Sequence, residues 1–285
     1  MKVIITFLGD RGAVETTYGI QCQKYVGRVF AEALRQFCEY DRMLVCVTHK
    51  ARENTWPVLE SLGDSRIEAV DIPTGKTTEE MWETFRTITE KVGEGDEVIF
   101  DITHGLRSLP FLVFLFAAYL KTARKVKIKA VYYGALELQD REKGTPAPVI
   151  DLSEFVSMLD WITAADQFVQ YGNGEALSHL LLSRMPPGSL MRDDSHERDI
   201  GKALKNVSAA INDISQSLSL ARPMETMDTA SQLDKYMSAA ADAFKERTQP
   251  FTILADTVKE AYAPFAVPNP LNVDNLKKIS GFNWA

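Results

Sequence analysis

Residues 96–121 read DEVIFDITHGLRSLPFLVFLFAAYLK. A short run rich in β-branched and aromatic residues, 96–102, ends at a cluster of Asp, Thr, His, Gly, Arg and Ser. A long apolar run follows, with Pro110 near its start. Proline suits the first turn of a helix, where its missing N–H would have no intrahelical partner anyway. The stretch therefore predicts strand, loop and helix, the helix running over 108–121. Its apolar run, Leu109 to Leu120, has 12 residues and is too short to span a bilayer. It is expected to be buried on nearly all sides.

The same alternation extends in both directions. Strands are predicted at 2–8, 42–48, 66–72 and 126–138, and helices at 21–37, 53–62 and 77–92. Strands that are apolar throughout suit a parallel sheet covered on both faces, and strand–helix alternation suits a doubly wound α/β fold. A charged turn, QDREKGTPAP (139–148), then precedes VIDL. It reads as a hairpin that places one antiparallel strand at the sheet edge.

From residue 154 onward the pattern changes. The segments 154–171, 174–185, 198–221, 230–247 and 251–265 repeat their apolar residues with helical period, and none has strand character. Two domains are expected: an α/β domain at 1–153 and an all-helical domain at 154–285. The final segment, NVDNLKKISGFNWA, begins like an amphipathic helix and reads as a truncated or degenerate end.

The totals restrict the function classes. A formal net charge of −7 argues against non-specific attachment to a nucleic-acid backbone, which needs a basic surface. Cys22, Cys38 and Cys46 fit no metal-binding or redox spacing and read as buried free thiols of a reducing cytoplasm. The N-terminus lacks the layout of a signal peptide. A cytoplasmic protein is expected, with no membrane partner, no metal and no cofactor.

Several motifs bear on function. DIPTGKTTEE (71–80) resembles a P-loop, but Val70 stands where that motif needs glycine. It reads as a turn and a helix start capped by Thr77 or Thr78. FLGDRGAVETTYG (7–19) lacks the dinucleotide fingerprint, yet it follows the first strand, where doubly wound sheets bind ligands. KVKIK (125–129) reads as a strand with one solvated face. DITHGLRSLP (101–110) carries the most chemistry. A helix N-terminus offers unpaired amides and partial positive charge. Gly105 permits close backbone approach, Arg107 can fork two hydrogen bonds to a phosphate, and Thr103, His104 and Ser108 add polar groups. Together they describe an anion site. The plain alternative is a capped helix with Arg107 paired locally.

At these residues the chain resembles the CRISPR-associated DxTHG family. DITHGLRSLP fits the longer form of its signature. FLG, IPTGKTTEEMWETF and YYGALEL…TPAPVIDLSEF follow in the same order, so the resemblance covers about residues 1–171. It implies a CARF domain, a Rossmann-like fold. This domain forms homodimers and binds a cyclic oligoadenylate, the messenger of type III CRISPR systems, across the two-fold axis. The expected ring is cyclic tetraadenylate. By resemblance, Thr103, His104, Gly105, Leu106, Arg107 and Ser108 form one binding loop and Leu8, Gly9 and Asp10 the other. Gly134 lies near the pocket floor. Asp10-Arg11 departs from the small residues expected after FLG.

Related proteins often carry a helical HEPN ribonuclease domain, in which an Arg and a His are separated by four to six residues. Here Arg192 and His196 have only three residues between them, in a stretch read as a polar loop, so no catalytic residue is assigned. Three readings stay open: a sensor coupled to an RNase-type effector acting on single-stranded RNA, a ring nuclease that degrades its own ligand, or a non-catalytic module that regulates a partner.

Overall fold

The computed structural model describes residues 1–10, 13–105, 109–140 and 142–266. The chain divides into two units, Met1–Val156 and a second that begins at Ser157. The first contains β1 (Lys2–Phe7), β2 (Thr16–Ile20), β3 (Gln23–Gly27), α1 (Phe30–Phe37), β4 (Arg42–Val47), α2 (His49–Asn54), α3 (Trp56–Glu60) and β5 (Ile67–Asp71). It continues with α4 (Thr78–Glu90), β6 (Glu97–Asp101), α5 (Leu109–Arg124), β7 (Lys127–Gly134), a 3₁₀ turn (Leu136–Leu138) and β8 (Ala147–Asp151). Helix α6 (Ser153–Tyr171) begins in this unit. The second unit continues with α7 (Glu175–Ser183), α8 (Gly188–Asp193), α9 (Ser195–Ser219), α10 (Pro223–Ala239), α11 (Ala241–Arg247) and α12 (Gln249–Tyr262).

The strands form one sheet in the order β3-β2-β8-β7-β6-β1-β4-β5. Strand β1 lies between β6 and β4 and is parallel to both. This Rossmann-like arrangement matches the α/β expectation. Side chains alternate across the sheet with period two. Val3, Ile5 and Phe7 meet Ile88 of α4 and Val113, Phe116 and Leu120 of α5 on one face. Ile4 meets Phe30 and Leu34 of α1, Ala51 and Leu59 on the other. The helical second unit has a core of its own, with Trp161, Phe168, Leu204, Ile211 and Phe251 fully buried.

Four expectations need correction. The helix expected at 21–37 starts only at Phe30, because residues 16–27 form the β2–β3 hairpin. Tyr25, Val26, Phe30 and Leu34 have helical spacing, but Gly27 interrupts the segment and Thr16, Thr17, Tyr18, Ile20, Tyr25 and Val26 are strand formers. The hairpin adds β2 alongside β8, so β8 pairs antiparallel with β7 as expected but is not at the edge. Cys22 lies in the hairpin turn and is exposed, unlike Cys46. Helix α5 is buried on one side only: Phe111, Leu115 and Tyr119, spaced four residues apart, are 69%, 42% and 41% exposed.

Other boundaries moved less. The strand expected to reach Leu138 ends at Gly134. The helix expected at 53–62 is two short helices broken at Thr55, with Pro57 in the first turn of α3. Thr77 caps α4 by accepting the Glu80 N–H at 3.3 Å, as read from the sequence. The segment 230–247 comprises the end of α10 and α11. The helix expected near the C-terminus lies outside the described residues. Among the described residues no helix is long and apolar enough to cross a membrane.

Phe116 packs between the sheet and Phe85 at 5.1 Å between ring centroids and is fully buried. Phe116→Ala is expected to destabilise the protein by about 3–5 kcal/mol, the usual cost of removing a buried aromatic ring. Urea denaturation of the full chain checks this, and an unchanged midpoint would contradict the packing described.

Candidate functional site

The chain runs from β1 outward to β4 and β5, then returns to β6 and β7 on the other side of β1. Strands β1 and β6 are therefore the point where the winding reverses. Loops leaving the carboxyl ends of two such neighbours diverge and open a crevice. One of these loops contains Leu8, Gly9 and Asp10; the other starts at Ile102.

The second loop is shaped from inside. Asp101 ends β6 and is completely buried. Its carboxylate accepts the Thr6 hydroxyl at 2.5 Å and the Thr103 N–H at 2.7 Å. The first bond ties β1 to β6; the second is the local turn that Asp favours two residues ahead of itself. Burial pushes the Asp101 carboxyl above the ordinary range, while these donors act in the opposite direction.

Thr103 faces inward as well. Its hydroxyl oxygen accepts the Gly134 N–H at 2.8 Å. A Cβ on Gly134 would lie 3.2 Å from that oxygen and from the Phe30 ring, so glycine is what lets β7 end this close to the loop. His104 is half-buried, and its Nε2 lies 3.3 Å from the Phe30 backbone N–H and 3.4 Å from the Tyr18 hydroxyl. An imidazole nitrogen that accepts an amide proton carries none itself. Burial pushes His104 below its ordinary value, in agreement with a neutral ring. Burial also raises Tyr18, which keeps its hydroxyl protonated.

The first loop is held from its other side. Thr55 donates its hydroxyl to the Gly9 carbonyl at 2.7 Å, and Asn54 donates to the Asp10 carbonyl at 3.1 Å. A Cβ on Gly9 would come within 3.4 Å of the His104 carbonyl, which shows how near the two loops run. The Leu8 side chain is buried in the core and Asp10 is exposed. The structure thus brings together Leu8, Gly9, Asp10, Thr103, His104, Gly105 and Gly134. Leu106, Arg107 and Ser108 lie outside the described residues. Two residues beyond Gly134, a cavity of 740 Å³ opens between Val14 and Thr16 on one side and Leu136, Leu138, Gln139 and three acids, Glu137, Asp140 and Glu142, on the other.

Sequence reasoning missed Thr6, Tyr18, Phe30, Asn54 and Thr55. Thr6 and Tyr18 looked like ordinary strand residues. The available signal was Val29, which precedes α1 and has no side-chain oxygen to cap it.

His196 was expected in a polar loop. It lies instead in the first turn of α9, where Asp194 accepts its N–H at 2.8 Å, and its Nε2 lies 3.0 Å from Glu246. That carboxylate raises its pKa. Among the described residues no cluster of three or more His, Cys, Asp or Glu is placed to hold a metal ion.

Two family models match the chain. Residues 58–137 match the CARF domain of the CRISPR system endoribonuclease Csx1. Residues 157–266 match the second domain of the CRISPR-associated protein MJ1674. The CRISPR-associated protein MJ1674 of Methanocaldococcus jannaschii is 32% identical over 141 residues, covering 48% of this chain and 20% of that protein. The chain therefore spans only a minor part of that relative's length.

Thr103→Val would leave the Gly134 N–H without its acceptor. It is expected to cost about 1–3 kcal/mol, as for other buried donors left unpaired, and Thr103→Ser should recover most of that. Denaturant titration of the two variants checks it; equal losses would show that the hydroxyl bond is immaterial.

Proposed function

Since the chain is a CRISPR-associated protein with a CARF domain, we propose that it senses a cyclic oligoadenylate, and that a second copy of the chain completes the site. The observation that carries this reading is the meeting of two loops at the β1/β6 reversal point, directly before the N-terminus of α5. A helix start attracts phosphates through its free amides and partial positive charge. The acids around the neighbouring cavity repel phosphates, which leaves the helix start as the favoured place for them. Thr103, His104 and Gly105 shape the approach, and Arg107 and Ser108 supply the anion contacts expected from the sequence.

The apolar face of α5 supports the homodimer. Phe111, Leu115 and Tyr119 start one turn from the loop and run away from it, and Trp82 of α4 is 59% exposed beside them. Trp82, Leu115 and Tyr119 border a groove of 440 Å³ that also takes in Met81, Phe85 and Leu112. An apolar strip of this kind is a protein-contact surface. If two copies join through it, their loops come together, as a ligand with two-fold symmetry requires.

The family name of the CARF match, an endoribonuclease, supports an RNase-type effector coupled to the sensor in type III CRISPR defence. A second reading, a sensor that does not itself cut RNA, is favoured by His196, which is bound to Glu246 and one residue too close to Arg192 for the HEPN spacing.

Incubation with cyclic tetra- and hexaadenylate, followed by labelled single-stranded RNA, tests these readings. RNA cleavage only in the presence of ligand supports the effector. Binding without cleavage supports the plain sensor, and loss of the ring indicates a ring nuclease. Absence of binding to either ring overturns the proposal.

Two variants extend the test. Leu115→Glu is expected to convert a dimer to a monomer in light scattering and to abolish ligand binding; a variant that stays dimeric removes this face from the interface. Arg107→Ala should weaken binding by about 1–3 kcal/mol, the usual worth of a charge-assisted contact. Unchanged affinity by calorimetry would exclude Arg107 from the site.

A further inference from the structure

Helix α1 begins without a cap of its own. Val29 occupies the N-cap position in extended conformation and makes no side-chain cap bond, whereas Ser, Thr, Asp and Asn are the usual residues there because their oxygens accept the first free amides. Three amides at this start nonetheless find acceptors. Glu32 accepts the N–H groups of Arg28 and Val29, and His104 accepts that of Phe30 from 74 positions away. The Tyr18 ring lies 5.0 Å from the Phe30 ring, and its hydroxyl faces the same Nε2. Tyr18 and Phe30 are fully buried.

We infer that His104 is a positioning residue that caps α1 from the neighbouring loop and so fastens the ligand-binding loop to α1 and the β2–β3 hairpin. This rests on the reading of that loop as the ligand site. The Nε2 lone pair is directed at Phe30, so that nitrogen is not available to a ligand base or phosphate.

Nuclear magnetic resonance of the full chain tests the cap without ligand. The His104 Nε2 resonance is expected at the position of an unprotonated nitrogen, and the Phe30 amide is expected to exchange slowly. Addition of cyclic tetraadenylate should leave both in place. His104→Ala should speed exchange of the Phe30 amide and weaken ligand binding, each by roughly tenfold, as expected for loss of one buried hydrogen bond. His104→Gln puts an acceptor oxygen at a similar reach and should restore amide protection and bring affinity within about threefold of the parent. Tyr18→Phe, at a site no ligand can reach, should weaken binding by a smaller factor.

Two results would overturn the inference. One is transfer of the Nε2 resonance to a ligand-bonded position on addition of the ring. The other is a His104→Gln protein that protects Phe30 yet binds as poorly as His104→Ala. If the parent binds no cyclic oligoadenylate, the proposed function fails, while the ligand-free resonances still decide whether the cap exists.

Discussion

Asp101 has no access to water, and a carboxylate in that position must be met by donors from the protein. Thr6 supplies one from β1 and the Thr103 amide supplies the other. The first contact joins the two central strands at the carboxyl ends from which the crevice opens. The second forces the chain after β6 to turn at once, which directs Thr103 toward Gly134 and His104 toward Phe30. A single buried acid thus determines where three separate segments meet. Its stabilisation is partial, since desolvation remains the largest influence on it. A network of this kind is costly when incomplete and rigid when complete.

The polar residues of DITHG therefore divide by direction. Asp101, Thr103 and the His104 Nε2 face the protein and hold β1, β7 and α1 in place. A generic anion-site reading treats every polar group in such a loop as facing the ligand. The geometry places the first three in service of the fold. The first loop follows the same logic. Thr55 and Asn54 hold its carbonyls from behind, while the side chain of Leu8 anchors it in the core.

Much of this was legible in the sequence. Segments 42–48, 66–72 and 96–102 are apolar and β-rich, the helices between them are periodic, and the tract Asp101 to Pro110 lies between two such elements. Local patterns were less reliable where two periods compete. Residues 21–37 satisfy a helical spacing only because Tyr25 and Val26 of a short strand happen to fall in phase with α1. Pairing between β2 and β8 joins residues distant in sequence, so no local window contains it. The exposed strip on α5 was hidden for a different reason: twelve consecutive apolar residues show that a helix is apolar all round, not which side the rest of the chain covers. Inward hydrogen bonds such as the one from Phe30 to His104 depend on tertiary placement and leave almost no trace in composition.

The β2–β3 hairpin has a consequence for how the molecule is made. Its nearest neighbour in the sheet is β8, where Tyr18 pairs with Ala147. During synthesis the hairpin leaves the ribosome long before the strand it must lie against, and contacts this far apart in sequence form slowly. Tyr18, which faces His104, is therefore placed only when the last strand of the sheet arrives. A nascent or truncated chain that lacks β8 would have the loop sequence complete and its supporting wall missing. The shape of the crevice is in this way tied to completion of the whole sheet.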